Sequence, residues 1–182
     1  MGMAISVPRY TLEELEQFPD DGNRHELLDG FLLVTPSPRA VHQRIASRLH
    51  VRLVAAVETP GHGCVVSPGA ISVPPHTQLL PDILVYPARF GPSVDWADVS
   101  EHWLAVEVLS RSSRIYDREI KRDAYFALGV RQVWLVDIED RSVCVWRSRA
   151  EHEVVRDVIR WRVADLDVIV PIDLREVFAG VQ

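Results

Sequence analysis

The chain has 182 residues, 47% of them hydrophobic and 25% charged, and carries a formal net charge of −6. One domain with a proper core fits that length, and the composition favours neither disorder nor a membrane class. No apolar run approaches a bilayer span, the opening MGMAISVPRY lacks a signal-peptide pattern, and the negative charge argues against a general nucleic-acid coat protein.

Thr11 and Glu14 form a T-x-x-E capping box, so a first helix starts at Thr11. A hairpin follows, His25–Leu28 and Phe31–Val34 joined by Asp29-Gly30, because Asp-Gly between apolar runs is a strong local hairpin signal. Pro36 and Pro38 close this unit. The spacing predicts a long helix over 39–57, with Val41, Ile45, Leu49, Leu53 and Ala56 as its apolar stripe and Arg44, Arg48 and Arg52 as a second stripe. Strands are expected near 63–67, 70–74, 80–86 and 102–109, all rich in Val, Ile, Leu or aromatic residues. A helix over 117–128 is capped by Asp117 and ended by Gly129. Strands 132–138 and 141–147 pair across Glu139-Asp140, and a strand near 153–159 and a helix near 173–179 complete the chain. Helices intermixed with hairpins imply an α/β fold, a mixed sheet with helices packed against it.

Cys64 and Cys144 lie far apart with no CxxC spacing, so reduced thiols and a cytoplasmic location are expected. Charge is unevenly distributed. From Arg39 to Val57 there are four arginines and no acid, and from Arg111 to Arg122 four arginines and a lysine against two acids. Of the 20 basic residues, Lys121 is the sole lysine. An ammonium is a compact point charge with an adjustable pKa, a role that a guanidinium cannot take.

The stretch Trp103–Leu109 is apolar almost throughout and reads as a central strand covered on both faces, with Glu107 its only charge. A carboxylate there is costly unless paired, hydrogen-bonded or bound to a metal. Asp82 stands at the start of the apolar run Ile83–Tyr86. If these two strands pair, both carboxylates can sit at one end of the sheet on one face, an oxygen-rich site suited to Mg²⁺. Lys121 shares a helical face with Asp117, Ala124, Tyr125 and Leu128, so it is expected to point toward the protein. Taken singly, Asp82 could be a strand-start cap, Glu107 a buried partner of an arginine, and Lys121 a surface residue.

Pro81-Asp82, then Glu107 in a hydrophobic strand, then a lysine, resembles the PD-(D/E)XK nuclease superfamily. The run Leu104–Ser110, Tyr116-Asp117-Arg118, Lys121, Tyr125, Gly129-Val130 and Trp134–Asp137 resembles the bacterial Uma family of restriction-endonuclease-like proteins. The segment His25–Gly30, then Pro36-Ser37-Pro38 with His42 shortly after, is similar to that family too. The likeness covers roughly residues 10–180 and implies a single restriction-endonuclease-like domain over 1–182. Two departures stand out. Leu109 occupies the position where the superfamily usually has its lysine, which implies that Lys121 reaches the same point from the following helix. Arg111 stands where the family commonly has proline.

The resemblance implies a metal-dependent endonuclease acting on DNA. Asp82, Glu107 and the Val108 carbonyl would hold Mg²⁺ or Mn²⁺, Glu26 would be an additional acid, and Lys121 would orient the attacking water. Arg44, Arg48, Arg52 and Arg118 would contact backbone phosphates, although a solvated helix face explains the stripe as well. A homodimer, one site per strand, is a common form for such a domain, and the sheet edge and tryptophans could serve its interface. The rival readings are an idle nuclease-fold module that binds DNA or a protein partner, and a hydrolase acting on RNA or on another phosphate ester. Other signals fall away. His25-Glu26 and His152-Glu153 begin an HExxH that Asp29 and Arg156 break, and His62 near Cys64 lacks further ligands. Trp134 and Trp146 read as strand core.

Overall fold

The computed structural model describes residues 7–91, 95–109, 116–164 and 166–181, and the side chains of 116–118 lie outside the described set. Helix α1 (Leu12–Leu15) begins at Thr11 with the full capping box. Strands β1 (Asn23–Leu28) and β2 (Phe31–Pro36) form the hairpin, with Asp29 and Gly30 both at positive φ, as the tight turn requires. Helix α2 (Ala40–Leu53) runs on into a π-helical turn, Val54–Glu58. Its buried stripe is His42, Ile45, Ala46, Leu49 and Leu53, whereas Val41, expected in that stripe, is exposed. The i, i+3, i+4 spacing runs back from Ile45 to position 42, so the histidine faces inward.

Next come β3 (Gly63–Val66), β4 (Ile71–Val73), β5 (Thr77–Leu79), β6 (Ile83–Pro87) and β7 (His102–Leu109). The strand expected over 80–86 starts instead at Ile83, because the backbone of Leu80 and Asp82 is bonded by side chains of Glu26, Arg24 and Ser67. A π-helical turn, Tyr116–Lys121, leads into α3 (Arg122–Ala127), and Gly129 at positive φ ends it. The expected cap Asp117 falls outside the described side chains. Strands β8 (Val130–Asp137) and β9 (Ser142–Trp146) pair antiparallel as expected. The single strand expected near 153–159 is two, β10 (His152–Val155) on β9 and β11 (Val158–Arg162) on β12 (Ile169–Asp173). Pro171 lies within β12, tolerated because this is a two-stranded ribbon with a free side. Helix α4 (Leu174–Val177) closes the chain.

The central sheet has six strands in the order β10-β9-β8-β7-β6-β3, with only β7 and β8 parallel. One face presents Leu84, Tyr86, Ala105, Val133 and Leu135 to α3 and to a four-stranded sheet ordered β2-β1-β5-β4. The other presents Val85, Leu104, Val106 and Trp134 to α2, α4 and the β11–β12 ribbon. All eight residues of β7 are buried, as its apolar sequence requires. Trp103, Trp134 and Trp161 are buried as well, which removes them from any interface between copies.

Two outcomes follow for stability. Leu104→Ala, at a fully buried site, should lower stability by about 2–5 kcal/mol, read as a reduced urea midpoint at unchanged slope. His102 is buried at the start of β7, and burial pushes its ring down to about 4, against weaker opposite pulls from Glu101 and the Val99 backbone. Between that value and its ordinary value of about 6.5 the unfolded chain binds a proton that the folded chain refuses. The stability present above pH ~6.5 should therefore fall by up to about 3 kcal/mol as the pH drops toward 4, and His102→Gln should flatten that part of the pH–stability curve.

Candidate active site

The site lies where the small sheet meets the end of β6 and β7. The Ile83–Val106 pairing sets Asp82 and Glu107 beside each other at the strand ends. Loop 67–70 braces this corner. Ser67 Oγ donates to the Asp82 carbonyl at 2.7 Å, and a Cβ at Gly69 would lie 2.4 Å from that of Leu84. From β1, Arg24 and Glu26 point the same way, as residues two apart on a strand must. Glu26 Oε1 accepts the Leu80 N–H at 2.6 Å, and Arg24 donates to the Leu80 carbonyl and to Asp82 Oδ1, both at 3.1 Å.

Lys121 completes the cluster. The chain leaves β7, crosses over and returns through the π-helical turn, so Lys121 arrives above the strand that carries Glu107. Its Nζ lies 2.6 Å from Glu26 Oε2 and 3.3 Å from Glu107 Oε1. Tyr125, one helical turn on, donates to the same Glu107 oxygen at 2.5 Å. Glu26, Asp82, Glu107 and Lys121 are each at most 4% exposed. Four ionisable groups so deeply buried persist only because each has partners, Lys121 with Glu26 and Glu107, and Asp82 with Arg24 and His42.

Asp82 is held from three sides. Its Oδ2 accepts from His42 Nε2 at 3.0 Å and from the Val108 N–H at 2.8 Å, and its Oδ1 from Arg24. Burial opposes the ionised form, but the hydrogen bond and electrostatic pull of His42, the Arg24 charge and the Val108 N–H outweigh it and hold the carboxyl below its usual range. Burial likewise works to lower the Arg24 pKa, and Asp82, Glu107 and Glu26 together overcome it and raise it.

The donor set suits a hard divalent cation: three buried carboxylates, and a Val108 carbonyl on the same strand side as the N–H that meets Asp82. Among the described residues, however, no three His, Cys, Asp or Glu side chains converge as a ready cation cage. The Lys121 ammonium stands between Glu26 and Glu107 instead, so a metal ion would share or take over oxygens that now face this cation.

Asp82, Glu107, Lys121 and Glu26 are thus brought together, whereas the arginine stripe is not. Arg48 donates to the carbonyls of Val177 and Ala179, and Arg52 pairs with Glu176 at 2.6 Å, so both hold α4 in place. Arg44 stays exposed, and the Arg118 side chain falls outside the described residues. An arginine-rich cleft of about 480 Å³ lies toward the start of β8, but its Arg131, Arg147 and Arg162 are paired with Glu101, Glu153 and Asp167. Arg24 was missed by sequence reasoning. Its position two residues before Glu26 on a strand was the available signal. His42 carried no role there either, although its spacing from Ile45 marked it as inward-facing.

A family model described as "Putative restriction endonuclease", Uma2, matches residues 12–173. The chain belongs to the Uma2 family. A crystal structure from Anabaena variabilis, described as a "putative nuclease belonging to DUF820", superposes with a TM-score of 0.76 at 18% identity, covering 95% of this chain and 99% of that one. At that identity the likeness speaks for the fold, an α/β architecture shared with a nuclease-fold neighbour. No curated protein matches. Among the described residues no helix is long and apolar enough to cross a membrane.

If the buried cluster is held as described, Lys121→Met leaves Glu26 and Glu107 buried without their shared cation. The expected loss is about 3–5 kcal/mol in urea unfolding, and Glu26→Gln added to Lys121→Met should restore part of it.

Proposed function

We propose that this Uma2 chain is a metal-dependent endonuclease that hydrolyses DNA phosphodiester bonds. The observation that carries the reading is the meeting of Asp82, Glu107 and Glu26 with the chain's sole lysine at the end of two paired strands. Asp82, Glu107 and the Val108 carbonyl would hold Mg²⁺ or Mn²⁺, with Glu26 as an additional acid. When bound, such an ion polarises the scissile phosphate and lowers the pKa of a water.

The chain's own groups supply the rest. Lys121 presents positive charge and donor protons where negative charge develops on the phosphate, and orients the water. Tyr125 fixes one oxygen of Glu107, and the donors around Asp82 fix its carboxylate. Attack by water with departure of the 3′ oxygen leaves a 5′-phosphate and a 3′-hydroxyl. Arg44 is the stripe member best placed to meet a backbone phosphate, being exposed. Cutting both strands would call for a homodimer, and a cytoplasmic setting suits two cysteines, Cys64 and Cys144, that form no disulfide.

One observation favours a second reading, an idle module that binds DNA or a protein partner. The three carboxylates already have Lys121, Arg24 and His42 as hydrogen-bonding or ionic partners, so each is held within the protein as the cluster stands.

Nicking of supercoiled plasmid in Mg²⁺ or Mn²⁺ separates the two. Wild type should nick, and Asp82→Asn and Glu107→Gln, with folding checked by circular dichroism, should be slower by on the order of 10²–10³-fold. Equal nicking by all three proteins would mark a contaminant and end the endonuclease reading. Cleavage of RNA alone would move the substrate class.

A further inference from the structure

His42 sits in the first turn of α2, with its side chain in the stripe that otherwise holds Ile45, Ala46, Leu49 and Leu53. Those four pack into the core against the central sheet, so the place of the ring is set by the seating of the whole helix. It is 7% exposed, and its Nδ1 has no hydrogen-bond partner among the described residues. A side chain that served packing alone would be aliphatic like its neighbours. What distinguishes the imidazole is the contact of Nε2 with Asp82 Oδ2 at 3.0 Å.

That contact has a geometric consequence. A carboxylate offers about four lone-pair positions, two on each oxygen. On Oδ2 both are used, by His42 from α2 and by the Val108 N–H from β7. On Oδ1 one is used, by Arg24, and one is left. Two donors from separate rigid elements, meeting on one oxygen, prevent the carboxylate plane from turning. The remaining Oδ1 position then keeps a fixed direction.

We propose that His42 is a positioning residue, which locks the Asp82 carboxylate so that Oδ1 is presented to a divalent cation. The inference rests on the reading of Asp82 as a cation ligand. It singles out, among the groups that hold Asp82, the one that comes from the opposite face of the sheet. Partners that hold a ligating group by its other atoms commonly govern metal affinity as much as its own chemistry does.

The test is Mn²⁺ binding to the full chain, followed by electron paramagnetic resonance of the free ion, beside thermal melting of each protein. His42→Leu keeps the packing and removes the donor, and His42→Gln keeps a donor amide of similar reach. The Leu variant should bind Mn²⁺ about 10–100-fold more weakly, and the Gln variant within about threefold of wild type. A purely structural role would lower the melting temperature and leave the affinities of the folded proteins alike, which overturns the proposal. Should the Leu variant fail to fold, His42→Asn, whose amide is too short to reach Oδ2, takes its place. Weaker binding than by the Gln variant supports the proposal, and equal binding overturns it. If wild type itself takes up no Mn²⁺, the reading of Asp82 as a ligand fails and this inference falls with it. Binding by wild type and the Leu variant alike overturns this inference alone.

Discussion

The structure turns on one buried ammonium. Lys121 Nζ lies between Glu26 and Glu107, and these three residues come from three elements: the helical turn before α3, strand β1 of the small sheet, and strand β7 of the central sheet. All three side chains are at most 3% exposed, so the contact ties these layers together deep inside the protein. Two carboxylates facing each other in an apolar setting repel strongly, and a compact cation between them converts that repulsion into a tether. A guanidinium is larger and planar, so the choice of lysine in a chain that otherwise uses arginine has a steric as well as an electrostatic reason.

From that tether the arrangement of the site follows. Antiparallel pairing of β6 with β7 sets Asp82 beside Glu107, and parallel pairing of β7 with β8 demands a crossover whose helical part passes over the strand ends. That crossover returns Lys121 and Tyr125 to Glu107. The small sheet contributes Arg24 and Glu26, both of which also bond the backbone of Leu80. Helix α2 contributes His42 from the other side of the central sheet. The cluster is therefore assembled at a seam, and each layer is fixed in part by what it gives to that seam.

The surface follows a different rule from the site. Arg48 and Arg52 fasten α4, and Arg131, Arg147 and Arg162 each face an acid on the exterior. Such exposed pairs contribute little to stability, but among the described residues they neutralise much of the surface positive charge, in keeping with a net charge of −6. The proposed action on DNA would therefore draw its affinity from a few local groups and touch the polyanion over a small area.

Local chemistry was enough to read the capping box at Thr11, the Asp29-Gly30 turn, the apolar β7 with its one carboxylate, and the helical spacing of Lys121 and Tyr125, because each depends on residues close in sequence. The nuclease-like fold was legible through the resemblance that those residues carry. Tertiary structure alone decided the rest. Arg24 and Glu26 reach Leu80 across more than fifty residues of chain. The strand expected over 80–86 starts late because those side chains claim its first backbone groups. Two members of the arginine stripe turned to α4, Arg48 to the free carbonyls at its end and Arg52 to Glu176, because packing brings those acceptors near. His42 shows the division most plainly: periodicity could place it on the inner face of its helix, but only the packing of α2 against the sheet could bring it to Asp82, because a hydrogen bond depends on distances in space that no spacing along the chain encodes.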